Sequence, residues 1–192
     1  IWAVRLGGFL LYRISKTGKD SRFDNIRDNF IAFGRFWLGQ GLSVWVILLP
    51  ALVAFTASSP NIAPLAWIGV VVWALGLALE SAADWQKFTF NSLPANKGKW
   101  IQSGVWKYSR HPNYMGEMLV WIGLYLYAVS VLSLPLGIAV AVGPLFIISL
   151  LLFISGIPLL EKFADARWGT NAEYKKYKSR TSMLIPWPPK KT

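Results

Sequence analysis

Arg110, His111, Asn113, Tyr114 and Glu117 fall within one short stretch of this chain, and His111 is its only histidine. In the run Trp106-Lys-Tyr-Ser-Arg-His-Pro-Asn-Tyr-Met-Gly-Glu117, guanidinium, imidazole, amide and phenol groups can all donate hydrogen bonds to phosphate or carbonyl oxygens. The run opens directly into apolar sequence. A polar cluster at the mouth of a membrane helix is costly unless it serves a function, so these residues are the first candidates for a site. Pro112-Asn113 reads as a helix start, which sets Glu117 one turn inside, pointing back towards the cluster.

A second set lies upstream. Glu80, Asp84, Lys87 and Asn91 recur at spacings of three and four, so they share one face of a helix and suggest a lined cavity at its end. With no cysteine, the chain has no disulfide, thiolate metal site or thiol nucleophile, and a single histidine excludes a multi-histidine metal centre. No metal is expected.

The elements that must position these groups are apolar helices. The chain has 192 residues, of which 54% are hydrophobic, with a mean hydropathy of +0.41. That balance suggests a polytopic membrane protein. Residues 36–57, 65–83 and 136–160 each approach the roughly 20 residues needed to cross a bilayer. Residues 115–134 form a fourth stretch, interrupted by Glu117, and residues 1–12 read as the end of a fifth whose beginning is absent. The expected architecture is an all-α bundle of about four full spans plus the end of a fifth. Pro50 is expected to kink the first full span, and breaks are expected at Gly143-Pro144 and Gly156-Ile-Pro158 in the last. A turn is expected at residues 58–61. Phe23 and Ile26 are placed on a short amphipathic helix, and residues 161–178 read as a cytoplasmic amphipathic helix at the interface.

The net charge of +11 is distributed in blocks. Lys and Arg fall at 5–35, 87–110 and 162–191, and none occurs in 38–86 or 111–161. This is the positive-inside pattern, with three cytoplasmic segments and two short uncharged turns facing outward. Basic segments interleaved with spans do not suit a nucleic-acid-binding module, so the expected partners are the lipid bilayer and a lipophilic small molecule. The whole chain, 1–192, reads as a single domain.

Ser109-Arg-His-Pro-Asn-Tyr-Met-Gly-Glu117 closely resembles the signature of membrane reductases related to steroid 5-alpha-reductase. Asp84-Trp-Gln-Lys87, Gly18-Lys-Asp-Ser-Arg22 and Ser179-Arg-Thr-Ser-Met-Leu-Ile-Pro186 look like the bacterial branch of unknown function with a C-terminal steroid-dehydrogenase-like domain. The resemblance spans the chain in order. A related motif occurs in sterol reductases and, more loosely, in isoprenylcysteine and phospholipid methyltransferases. Members of this branch usually carry further spans at the front, so the resemblance implies that N-terminal spans are missing, and with them a Glu and a Tyr that contact substrate in the steroid reductases.

The resemblance implies an enzyme of the bacterial inner membrane whose cytoplasmic cavity holds NADPH and which reduces a carbon–carbon double bond of a steroid-like or isoprenoid substrate. On that reading Arg110 and Arg180 pair with phosphate, and Lys87, Lys107 and Arg13 act as point charges. Asp84 accepts from a ribose hydroxyl or the nicotinamide carboxamide, Asn113 both donates to and accepts from that carboxamide, and Glu117 fixes Asn113 or accepts the amide protons. His111 reads as a phosphate or helix-terminus donor in preference to a catalytic acid. Reduction of an enone needs a donor at the carbonyl oxygen and then a proton. Tyr174 and Tyr114 are the candidates, with Tyr174 where the resembling reductases place a cofactor- or proton-handling Tyr. Glu161 matches an acidic position of the sterol reductases. The alternatives are an S-adenosylmethionine-dependent lipid or isoprenylcysteine methyltransferase and a non-catalytic scaffold. Glu117 favours the reductase over the methyltransferase, because the isoprenylcysteine enzymes tend to a large apolar residue there. Glu80, Asp84, Glu117 and Glu161 at the membrane edge argue against a scaffold.

Overall fold

The computed structural model describes residues 1–18, 26, 28–57 and 63–190. Phe23 of the expected amphipathic helix, the Lys19–Arg22 part of the motif that begins at Gly18, and the expected turn at 58–61 lie outside the described residues. Among those described, the secondary structure is helical, and one isolated parallel bridge joins Ser109 to Ser182. The chain forms two compact units, Ile1–Trp45 and Val46–Thr192.

In the first unit, α1 runs from Trp2 to Thr17 and ends on Gly18, whose φ of 79° lets its backbone N–H close onto Ile14 O. This left-handed cap suits glycine. The half-span expected at 1–12 runs on as helix to Thr17 and takes in Arg13 and Lys16. The second helix, α2 (Phe30–Ala54), starts six residues before the expected span and absorbs Arg35. Pro50 stands inside it and is buried, in the second unit.

In that second unit, α3 (Pro64–Ser92) and α4 (Pro112–Val129) pack antiparallel at backbone contact. Both begin with proline at the first helical position, where a missing N–H costs nothing. Four glycines set their approach. A Cβ on Gly76 would lie 2.6 Å from Val120 N, one on Gly116 2.5 Å from Glu80 N, and one on Gly69 2.6 Å from Tyr127 N. A Cβ on Gly123 would meet the Trp73 backbone, 2.7 Å from its Cα. Gly69 and Gly76, like Gly116 and Gly123, are seven residues apart, two helical turns, so each pair lies on one face. Small residues at such a crossing let apolar helices pack by close contact where lipid offers no hydrophobic drive. This register brings the C-terminal end of α3, with Glu80, Asp84 and Lys87, level with the polar start of α4.

The last apolar stretch is segmented: α5 (Leu134–Val140), α6 (Val142–Ser149), a π-helical turn at Leu150–Ile154, then α7 (Ile157–Trp168). The first break falls at Ala141, just before the expected Gly143-Pro144, and the second at Gly156 as expected. Gly143 packs under α2, where a Cβ would be 2.9 Å from Pro50 Cδ.

Three helical stretches are long and apolar enough to cross a membrane: Phe30–Ala54, Pro64–Ser92 and Leu134–Trp168. The expected fourth, α4, forms as an 18-residue helix but is not among them, because Asn113 and Glu117 dilute its apolar content. The helix expected at 161–178 is two. α7 ends at Trp168, and Asn171 starts α8 (Ala172–Arg180) by accepting hydrogen bonds from the Glu173 and Tyr174 amides at 2.9 and 3.2 Å. An N-cap asparagine after Gly169 is a strong local restart signal.

Candidate functional site

The loop before α4 is anchored from two sides. On one, it folds over the end of α3. Trp106 Nε1 donates to Ala83 O at 3.0 Å, and Val105 N donates to Gln86 Oε1 at 3.0 Å. Gly104 adopts a φ of 58° with Gln86 against it, leaving no space for a Cβ. Trp106, Ala83 and Ile101 form a small buried core there. On the other side, residues 181–190 return across the loop as a strap. Arg110 N donates to Ser182 O at 2.8 Å, and Trp187 N donates to Tyr108 O at 3.0 Å. The fully buried Ser109 donates its hydroxyl to Leu184 O at 2.7 Å and accepts from His111 N at 3.1 Å. Truncation after Thr181 removes three of these bonds and leaves the Ser109 hydroxyl proton without its Leu184 acceptor. It should cost about 2–4 kcal/mol. A thermal transition in detergent that does not move would show that the strap does not hold the loop.

At the centre of the site is Glu161, on the first turns of α7. Its Oε2 pairs with Arg110 Nη1 at 2.5 Å and with Lys178 Nζ at 3.1 Å, and its Oε1 lies 2.7 Å from His111 Nε2. Lys178 also reaches both oxygens of Asp165, at 2.6 and 2.7 Å. Burial alone would lower the Lys178 ammonium, but the hydrogen bonds it donates to Asp165 and Glu161 outweigh it and push its pKa up. Exposure grades outward, from His111 at 6% through Arg110 and Glu161 to Asp165 at 50%. The ring of Tyr114 stacks on His111, 5.9 Å away and 13° from parallel. Tyr174 is buried among Trp100, Trp168 and Tyr177, with ring centroids 5.2–6.4 Å apart. Burial pushes the Tyr174 phenol up and nearby Glu161 adds to the effect, so its hydroxyl keeps its proton.

Three buried polar atoms around the start of α4 have no partner among the described residues: His111 Nδ1, Asn113 Oδ1 and Arg110 Nε. Buried polar atoms are normally satisfied, and orphans grouped at the mouth of one helix mark a place for a polar ligand. Lys107 of the same loop, with Lys176, Arg180, Gln102 and Thr181, lines an open cleft of about 290 Å³, in which Glu173 is the one acidic group. Tyr177 forms part of its wall, with its hydroxyl donating to Trp106 O at 3.0 Å, and burial pushes that phenol's pKa up.

The structure thus gathers Arg110, His111, Tyr114, Glu161 and Tyr174, and it places Asn113 at the same helix start. Arg110, expected to hold phosphate, is committed to Glu161. Asn113 Oδ1 is buried with no partner among the described residues, and Glu117 is half-buried one turn further along α4. Lys87 extends its ammonium over the Trp106 ring, 4.7 Å from the centroid. Asp84 is half-buried on α3, one turn beyond Glu80, which is buried at 4% exposure. Arg180 belongs to the cationic cleft, where its Nε donates to Lys190 O at 2.9 Å. Arg13 lies half-buried on α1 in the N-terminal unit. Lys178, Asp165 and Ser109 were absent from the sequence-based site. Asp165 carries a usable signal, one turn beyond Glu161 on the same face, and Ser109 opens the signature run, whereas nothing local marks Lys178.

An uncharacterised protein of Schizosaccharomyces pombe (strain 972 / ATCC 24843), C594.04c, is 24% identical over 157 residues, which are 66% of this chain and 45% of that protein. The chain therefore spans less than half the length of this curated relative. No solved structure matches. A family model described as Protein of unknown function (DUF1295) matches residues 1–181. The signature loop and the Glu161 centre lie within that match, the strap beyond Thr181 lies outside it, and the chain belongs to this family.

Proposed function

We propose that this protein is an NADPH-dependent membrane reductase that saturates a carbon–carbon double bond of a lipophilic, steroid-like or isoprenoid substrate. The observation that carries this reading is the trio of orphaned buried atoms at the start of α4, together with a cationic cleft that the preceding loop helps to line. Asn113 Oδ1 and His111 Nδ1 suit the amide protons of a nicotinamide carboxamide. Lys107, Lys176 and Arg180 suit phosphate oxygens, and Tyr177, which lines that cleft, has its ring 6.4 Å from that of Tyr174. Bound there, NADPH would supply the hydride equivalent.

The chain's own residues supply the rest. Tyr174 keeps its proton, so its hydroxyl can donate to a carbonyl oxygen that gains negative charge. Tyr114, stacked on His111, is the second such donor. Glu161, ringed by Arg110, His111 and Lys178, is built to remain an anion that orients its neighbours, not to deliver a proton. Asp84 and Glu117 face the same end of the α3–α4 pair, where a ribose hydroxyl or the carboxamide would meet them. Arg13 belongs to this reading as a further point charge. The reading also places α4 as a fourth span, with the basic segments and the C-terminal helix on the cytoplasmic side of a bacterial inner membrane.

Asn113→Ala and Arg110→Ala should each weaken NADPH binding by about 1–3 kcal/mol, measured by titration of detergent-solubilised protein. Binding of S-adenosylmethionine with no binding of NADPH would replace the reductase by a methyltransferase.

A further inference from the structure

His111 is nearly enclosed, and its ring has one hydrogen-bond partner among the described residues. Nε2 meets Glu161 Oε1 at 2.7 Å, while Nδ1 is buried with none. An ionised carboxylate only accepts, so Nε2 must carry the proton. A neutral ring in that state presents Nδ1 as a bare acceptor. The state therefore depends on Glu161 staying turned towards His111.

The other oxygen of Glu161 is gripped from two elements. Arg110 holds it from the signature loop and Lys178 from α8. Lys178 cannot swing away freely, because the same ammonium bridges both oxygens of Asp165. Glu161 and Asp165 are one turn apart on α7, so a single cation pins two successive turns of one helix face to α8. The strap then fixes the other partner, since Arg110 N and the Ser109 hydroxyl are both tied to residues beyond α8.

We propose that Lys178 is a positioning residue: by bridging Asp165 and Glu161 it keeps Glu161 on His111 Nε2, fixes the Nε2–H tautomer, and leaves Nδ1 as a buried acceptor for an N–H or O–H group of a neutral ligand. The tautomer and its clamp stand on geometry alone. The occupant of Nδ1 rests on the NADPH reading, whose amide group is such a donor. Lys178 touches no reacting atom in this scheme and acts through Glu161.

Because the chain has one histidine, protein labelled with nitrogen-15 at histidine reports on this ring alone. Wild-type protein in detergent near neutral pH should show one protonated ring nitrogen, Nε2, and one bare nitrogen, Nδ1. Lys178→Met should release the ring to exchange between tautomers, moving the two resonances towards each other. It should also weaken NADPH binding about tenfold, the scale on which outer-shell partners act on metal-site histidines. Lys178→Arg, which keeps a cationic donor, should restore the wild-type positions. If Lys178→Met does not fold, Asp165→Asn removes the second anchor at a half-exposed position and should shift the resonances the same way, by less. A protonated Nδ1 in the wild type overturns the proposal. So do unchanged ring resonances in a folded Lys178→Met or Asp165→Asn protein. If the tautomer behaves as expected but Nδ1 responds to S-adenosylmethionine and not to NADPH, the reductase reading fails and the positioning role of Lys178 survives.

Discussion

Replacing Gly116 or Gly123 by alanine should cost about 3 kcal/mol or more, and by valine should prevent the protein from folding. A single Cβ at Gly116 would press within 2.5–2.8 Å of Glu80 backbone and Cβ atoms, and one at Gly123 would lie 2.6 Å from Gly69 O. These neighbours are mostly backbone, which cannot rotate aside, so α3 and α4 would have to separate along the whole crossing. Overpacking ordinarily costs about 1–3 kcal/mol where side chains can yield, and here little can. The effect should reach the site, because the same crossing aligns the end of α3 with the start of α4. Gly39→Ala is the control: nothing lies within 4 Å of a Cβ there, and alanine should be neutral or gain up to about 1 kcal/mol of helix propensity. Thermal unfolding in detergent ranks the three. A Gly116→Ala transition no lower than that of Gly39→Ala would refute backbone contact at this crossing.

Glu161→Ala should be the most damaging change at a polar position. It removes the acceptor shared by Arg110, His111 and Lys178, leaving Arg110 at 13% exposure without its carboxylate. Breaking a buried pair by deleting one member costs about 3–5 kcal/mol, and the low end applies because Lys178 can keep Asp165 and turn to water. Adding Arg110→Met to Glu161→Ala should recover roughly 1–3 kcal/mol, since the orphaned charge goes with it. Strict additivity of the two losses would mean that Arg110 and Glu161 are not energetically coupled. The comparison also separates anchoring from chemistry, because a proton-delivering Glu161 would lose turnover in Glu161→Gln without a matching loss of stability.

Much of this architecture is legible in local sequence. The apolar runs locate α2, α3 and the segmented α5–α7 stretch, Pro112-Asn113 marks the start of α4, and Gly156 marks the break before α7. The three-and-four spacing of Glu80, Asp84, Lys87 and Asn91 falls within the single helix α3, with exposure rising from Glu80 to Asn91. Errors of extent arose where local signals compete. Residues 161–178 carry one amphipathic character, but Gly169 and Asn171 end one helix and cap the next. The polar first turn of α4 belongs to the site as much as to a span, and it lowers the hydropathy by which a span is recognised.

Residue type and spacing alone determined that the chain is helical, rich in apolar segments, and concentrates its donors around residues 109–117. Both signals are local, set by hydrophobic periodicity and by capping chemistry within a few residues. Only the tertiary structure decided what those donors face. Arg110 meets Glu161 across 51 positions and Ser109 meets Leu184 across 75. Such pairings depend on where the chain returns, and no helix propensity encodes that. The glycines of α3 and α4 show the same division: their seven-residue spacing is visible in the sequence, but their meaning depends on the antiparallel register that puts each against a neighbouring backbone. Arg110 shows it most sharply, because a guanidinium suits phosphate and carboxylate equally well, and the return of α7 supplied the carboxylate.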